Sequence, residues 1–378
     1  MRKNIFIILS LTFFILYSCK KETDTDLTGV PQLNTKTILT GYEIIWGMDF
    51  LPNGDLIFGE KRGKLYRKNN ETITEITGFP EVLSSGQGGL LDIRVHPDYS
   101  LNGWIYACYA ASNPAGGGQL KLIRFNITND QVQNTENIFT TNGSNKWYGH
   151  YGSRIVFDMA KYLYLSIGEG GVGSYGGPNT NNTNAQDPAS SWGKIHRLRD
   201  DGSIPEDNPV IPGNSGPASI YTYGHRNPQG LTMHPETGEI WETEHGPRGG
   251  DEVNIIVKGS NYGWPTYSIG VNYDGTTISS GHSAIGIEAP IYTWTPSIAT
   301  CGIAFITHNK FKSWKGNLLV SGLVSQKLLR CVVNGDKIVE KDVLLSNSGR
   351  VRTVIQAPDG SIYVSIENPG RIIQILPE

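Results

Sequence analysis

The residues best suited to do chemistry fall in three places. The first is His150, in Lys146-Trp147-Tyr148-Gly149-His150-Tyr151-Gly152, just ahead of an apolar run that reads as a strand. An imidazole among aromatics and glycines at a strand entrance is placed to take a proton from a substrate hydroxyl. Glu169 follows nineteen residues later, at the end of the next apolar run, in Ser166-Ile167-Gly168-Glu169-Gly170-Gly171. Two adjacent antiparallel strands would return that carboxylate to the imidazole, to orient the ring and stabilise the imidazolium. The second place is 224–265, where His225, Arg226, Asn227, Glu244, His245, Arg248, Asp251 and Glu252 crowd between Gly- and Pro-rich turns. Short strands near 230–233 and 239–243 would hold them, with the charged groups at strand ends and loops, where binding residues concentrate. The third is Arg350 and Arg352, which share one face if 350–352 is a strand. Singly, each has an ordinary reading: a structural histidine, a pair of solvated turns, a basic strand edge. It is their joint presence that argues for a site.

Strands and tight turns must position these groups. The chain has 378 residues with 46 glycines, 10% aromatic and only 18% charged residues, a balance that favours many strands over a helical bundle. A formal net charge of -3 implies no basic face for nucleic acid. A pattern then recurs: an apolar strand, a turn with Pro, Asp, Asn or Gly, a second apolar strand, and a third carrying basic residues. It is readable at 47–66, 90–125, 153–198, 229–256, 302–332 and 352–376. About six uneven units of this kind predict an all-β chain folded as a six-bladed β-propeller. The insertions at 170–192 and 266–291 become loops on one end of the disc, and an early strand near 37–40 completes the final blade.

The N-terminus reads as an export signal. Arg2 and Lys3 precede an apolar run from Ile5 to Tyr17, and Leu16-Tyr17-Ser18-Cys19 follows the form of a bacterial lipoprotein box. Residues 1–19 are therefore expected to be a lipoprotein signal with Cys19 as the lipidated residue, 20–35 a polar tether, and 36–378 the propeller domain. That predicts an exported lipoprotein of the periplasm or cell envelope, anchored to a membrane. Cys108, Cys301 and Cys331 form no metal or CxxC spacing. Cys301 and Cys331 lie on successive apolar runs and either pair or stay as buried thiols.

The motifs GHRNPQGL (224–231), EHGPRGGDEVN (244–254) and GSNYGWP (259–265), in this order and spacing, resemble the soluble PQQ-dependent aldose sugar dehydrogenases of the glucose/sorbosone type. The resemblance extends, more weakly, from about Trp46 to Ile373. It implies a six-bladed propeller that binds pyrroloquinoline quinone (PQQ) and Ca2+ and oxidises an aldose at the anomeric carbon to its lactone. On the matching positions, His150 is the general base that accepts the hydroxyl proton while hydride passes to the quinone. Glu169 is its acidic partner, where the family commonly has Asp, and Arg226 also belongs to the catalytic set. Arg226, Asn227, Arg350 and Arg352 match cofactor contacts, as a tricarboxylate requires. The carbonyls of Gly246 and Pro247 match the cofactor-linked Ca2+; Glu252 and the backbone of Tyr262 match a second, structural Ca2+. Tyr273, Asp274 and Glu288 are further ligand candidates in a divergent loop. Gln87 matches a sugar contact. Much of the family adds a lysine from the fifth blade; Val324 stands there instead, with Lys327 three residues on. Trp294 and Pro296 offer an apolar wall for a ring. The electron acceptor is not named by any motif.

Two other functions compete. A propeller that has kept the fold and lost the chemistry would serve as a carbohydrate- or protein-binding module. A metal-dependent lactonase would gather several carboxylates and Asn around one central ion, where this chain places Arg and His.

Overall fold

The computed structural model describes residues 33–171, 183–279 and 284–378. The expected lipobox, Cys19 and nearly all of the polar tether lie outside these residues. Six four-stranded antiparallel sheets succeed one another along the chain. Their first strands are Ile45–Phe50, Leu90–Val95, Ile155–Phe157, Pro228–Met233, Thr300–Phe305 and Arg350–Gln356. Each of these touches the first strand of the blade before and after it, so they form a closed inner ring. The fold is the six-bladed β-propeller that the repeats predict.

Closure is made by the earliest described strand. Leu33–Tyr42 runs antiparallel to Gly370–Pro377, from Leu33 opposite Pro377 to Tyr42 opposite Gly370, as the outer strand of the sixth blade. The expected closing segment at 37–40 is thus longer, and the sheet begins at Leu33 rather than at 36. The repeat pattern also shows three strands per unit where the structure has four. The outermost strands are mostly solvent-facing, as along Lys337–Leu345, so they lack the apolar signature that marks the inner ones. Turns between first and second strands use Pro-Asn-Gly and Pro-Asp-Gly. Gly54 donates to Leu51 and sits at φ +88°, a conformation open to glycine without strain.

No single core exists. An apolar cluster fills each of the six junctions between neighbouring blades. Hydroxyls lock several junctions as well: Ser166 donates to the Pro228 carbonyl (2.8 Å), Thr243 to Cys301 (2.9 Å), Ser321 to Arg352 (3.0 Å) and Thr353 to Trp46 (2.6 Å). Gly230 permits the approach at one of them, since a Cβ there would lie 2.3 Å from the Cys301 carbonyl. This arrangement leaves the axis to polar groups. Arg154, on the third blade, is buried and donates to the Asp92 carboxylate (2.8 Å), the Gln229 carbonyl (3.0 Å) and Thr353 (3.2 Å), and stacks on Trp46. One guanidinium therefore ties its own blade to the second, fourth, sixth and first. Cys108, Cys301 and Cys331 are buried free thiols, which settles the pairing alternative against a disulfide.

Candidate active site

A cavity of about 1040 Å3 opens above this axial plug, at the upper end of the range for small-molecule sites. His150 forms part of its wall. The hairpin of Ile155–Phe157 and Leu163–Ile167 carries the backbone on either side of it, and its continuation brings Glu169 back against the ring. His150 Nδ1 lies 2.8 Å from Glu169 Oε1, with both side chains buried. With Nδ1 committed to the carboxylate, Nε2 is the ring nitrogen left to the cavity. His150 itself sits at φ +38°, a left-handed conformation costly for a residue with a Cβ. It is held there by the Gly170 amide on its carbonyl, and Gly171 leaves the space, since a Cβ would lie 2.2 Å from His150 Nδ1.

Much of the remaining wall is cationic. Lys61, Arg226, Arg248, Arg350 and Arg352 line the cavity, while Glu367 is the one carboxylate among its described lining residues. Glu367 is shared: Arg350 Nε donates to Oε2 at 2.9 Å and Arg352 Nε to Oε1. Burial opposes charge on Glu367, but Arg352 and then Arg350 outweigh it and hold its carboxyl below the usual range. Two arginines on one carboxylate leave a positive surplus facing the cavity. Arg226 comes from the fourth-blade approach; its Nη1 donates to the carbonyls of His245 (3.1 Å) and Gly246 (3.0 Å), and its buried Nε has no partner. Burial and then the charge of Arg226 and Arg352 push the His245 imidazole well below the ordinary range. Asp251 folds the loop beneath, accepting from the Gly246 amide (3.0 Å), Ser297 (2.8 Å) and the Thr300 amide (3.2 Å).

This fold has known counterparts. A family model described as glucose/sorbosone dehydrogenase matches residues 42–374. The chain belongs to that family. It is 35% identical over 341 residues to the aldose sugar dehydrogenase YliI of Escherichia coli K12, covering 88% of this chain and 90% of that one. The apo crystal structure of the soluble E. coli aldose sugar dehydrogenase superposes with a TM-score of 0.86, at 34% identity, over 92% of this chain and all of that one. The PQQ-bound aldose sugar dehydrogenase of Streptomyces coelicolor superposes at 0.74, with 29% identity, over 92% and 99%.

Within this dehydrogenase, the residues singled out from sequence separate into two shells. His150, Gln87, Arg226, Gly246, Pro247, Arg350 and Arg352 line the cavity, whereas Glu169 and Asn227 stand behind it. Asn227 is wholly buried; its Oδ1 accepts from the Gly152 amide (3.1 Å) and its Nδ2 donates to Gln87 (3.3 Å). It positions the wall rather than forming it. Of the expected apolar pair only Pro296 reaches the cavity. Trp294 packs between the fourth and fifth blades and donates its indole N–H to Glu340. Tyr273 also lines the cavity, whereas Asp274 and Glu288 do not. Val324 does line it and Lys327 does not, so the fifth blade gives no ammonium; Lys61 of the first blade supplies one. Neither Lys61 nor Glu367 was singled out from sequence. Glu367 was reachable, because a hairpin closed by Pro358-Asp359-Gly360 places it opposite Arg350. Lys61 comes from a turn after a strand with no motif around it, and only the ring geometry turns it inward.

The residues fit the two groups that this family implies. Five cations against one shared carboxylate, with an orphaned Arg226 Nε, suit a polyanionic ligand. Among the described residues, the Pro247 and Tyr262 carbonyls accept no hydrogen bond and the Gly246 carbonyl accepts only from Arg226, so oxygen donors remain for a hard cation. Glu252 and Tyr262 wall a second, ion-sized cavity of about 10 Å3 beside Arg226, with Glu244 and Ser268.

Proposed function

We propose that this chain is a PQQ- and Ca2+-dependent aldose sugar dehydrogenase that oxidises the anomeric carbon to a lactone. The observation that carries the reading is the His150–Glu169 pair facing a cation-rich cavity. PQQ, when bound, would supply the hydride acceptor, and Ca2+ a Lewis acid beside it. Arg226, Arg350 and Arg352 would hold the cofactor carboxylates, with Asn227 keeping Gln87 and the Gly152 backbone in place. The Gly246 and Pro247 carbonyls would hold the cofactor-linked Ca2+, and Glu252 with the Tyr262 carbonyl the structural one. Gln87 would take a sugar hydroxyl. His150 Nε2 would accept the proton of the anomeric hydroxyl, while Glu169 keeps the ring oriented and carries the matching negative charge.

The lactonase alternative asks for several carboxylates at one ion in the cavity. The single lining carboxylate among the described residues, Glu367, is already shared by two arginines. For the full protein we further infer export and attachment to a membrane through Cys19, with an electron acceptor still to be identified. Serine at Cys19 would then move the protein from the membrane fraction to the soluble one.

The decisive test is His150→Ala. Dye reduction with aldose, PQQ and Ca2+ should fall about 10²- to 10⁴-fold, the usual worth of a general base, with cofactor affinity retained. Full activity in the variant would overturn the reading. Wild-type protein that does not bind PQQ at all would favour the binding module.

A further inference from the structure

The fourth blade holds a second charged cluster that the reaction does not use. Glu242 and Glu244 alternate on the strand Ile240–Glu244, so both point to one face. Across the ladder Asn254 stands opposite Glu242 and Glu252 opposite Glu244. Three carboxylates and an amide therefore share a patch of sheet, and Glu242, Glu244 and Asn254 are buried. His225 closes over them. Its Nε2 meets the Thr222 hydroxyl at 2.9 Å and its Nδ1 lies 3.3 Å from Glu244 Oε1, while Tyr262 stacks on the ring.

No side-chain cation of the described residues balances the charge on Glu242 and Glu244. No lysine or arginine among the described residues pairs with Glu242, Glu244 or Glu252; the single ion-pair partner is His225, and only when protonated. Asn254 Nδ2 is stretched between Glu242 (3.0 Å) and Glu252 (3.3 Å). Two buried oxygens then have no donor among the described residues, Glu242 Oε1 and Asn254 Oδ1. Buried oxygens left unpaired and like charges left unneutralised are each destabilising. One group cures both defects: a cation seated among them. One donor atom each from His225, Glu242 and Glu244 lies within 4.8 Å of the others, a spacing that ligands of a single ion can span.

The geometry points to a divalent-metal site at His225, Glu242 and Glu244, completed by the Asn254 amide oxygen. The mixed imidazole and carboxylate set selects a first-row ion of the zinc or manganese type over Ca2+, which takes oxygen donors. The Thr222 contact on Nε2 orients the ring with Nδ1 toward the carboxylates, as an outer partner does for a ligating histidine. The role is structural. Glu244 Oε2 also accepts from the Arg226 amide at 2.5 Å, so an ion on Glu244 would fix the backbone that carries a cavity arginine. The site lies apart from the cavity and does not depend on the proposed redox activity.

The test uses metal-stripped full-length protein with Ca2+ kept saturating, so that oxygen-only sites stay filled. Zn2+ and, in parallel, Mn2+ are titrated, and bound metal is counted after desalting alongside the thermal midpoint. We expect one equivalent of Zn2+ or Mn2+ on the wild type, with a rise in Tm. Glu242→Leu should retain none and lose the metal-dependent rise, and His225→Asn should bind far more weakly; the second variant serves if the first does not fold. Glu252→Gln, which alters the proposed Ca2+ site, should keep the equivalent. Zn2+ binding that survives both Glu242→Leu and His225→Asn would overturn the assignment, as would displacement of the ion by Ca2+. A wild type that binds neither metal would overturn it in favour of a buried proton.

Discussion

The sixth and fourth blades each bury a knot of charge built the same way, from alternate residues on a strand, yet with opposite sign. In the sixth, Arg350 and Arg352 close on Glu367 and leave a positive surplus toward the cavity. In the fourth, Glu242, Glu244 and Glu252 share one amide and one histidine and leave a negative surplus within the sheet. Strand alternation sets which residues meet, and the count of charges sets what each knot can accept. One suits an anionic cofactor, the other a cation.

The same amide substitution should therefore act in opposite directions at the two knots. Glu367→Gln strands the buried Arg352 guanidinium, and breaking a buried pair on one side costs about 3–5 kcal/mol. Urea unfolding should show a loss of that size. In metal-stripped protein Glu242→Gln relieves repulsion and should be neutral or stabilising. Equal losses at both sites would break the contrast.

Cofactor affinity sharpens it next. Arg350 is half-exposed, so Arg350→Gln should fold well and remove one charged hydrogen-bonding arm from the cavity. At about 1.5–3 kcal/mol for a hydrogen bond to a charged group, PQQ affinity should drop roughly 10- to 100-fold, with lysine restoring only part, since it lacks the planar fork. An unchanged Kd from fluorescence titration would remove Arg350 from the cofactor wall.

Acid should read the sixth-blade knot separately. The folded value of Glu367 lies below its usual 4.5 because the arginines outweigh burial. Its contribution is then complete above that value and is lost as the pH falls through the lower folded one. Stability of the wild type should decline along this limb, and Glu367→Gln should flatten it. Parallel pH profiles for both proteins would contradict the assignment.

How far the sequence showed all this depends on the kind of signal. The six blades and the strand that closes them were legible, because apolar runs and Pro-Asp-Gly turns repeat with the blade. The pairing of His150 with Glu169 followed from one hairpin, whose two arms need only be counted. The arginine pair was expected from alternation, and both arginines do reach Glu367, although the register shift between Val351 and Thr353 falls at Arg352. What stayed hidden depends on packing across the ring. Asp92, Arg154 and Thr353 are far apart in sequence and meet only at the axis. Asn227 is expected as a contact from the resemblance of its motif, yet its side chain faces Gln87 and the Gly152 amide. Trp294 is expected as an apolar wall from its ring, while its strand turns the ring into the junction with the fifth blade.

Lys61 gives the smallest predicted effect and the closest check on the sign of the cavity. Burial and then the repulsion of Arg352 lower its pKa, with Glu367 opposing them, so an anion in the cavity should draw its proton back on. The ammonium is half-exposed and solvent screens it, which limits a single such pair to about 0.2–1 kcal/mol. Lys61→Met should thus weaken PQQ binding no more than about five-fold. The informative reading is alkaline. A lysine of lowered pKa aids an anion only while protonated, so wild-type affinity should begin to fall at a pH below the usual lysine value of 10.5, and the Met variant should lack that fall. If both proteins lose affinity together, the positive surplus belongs to the arginines alone and the first blade contributes only shape.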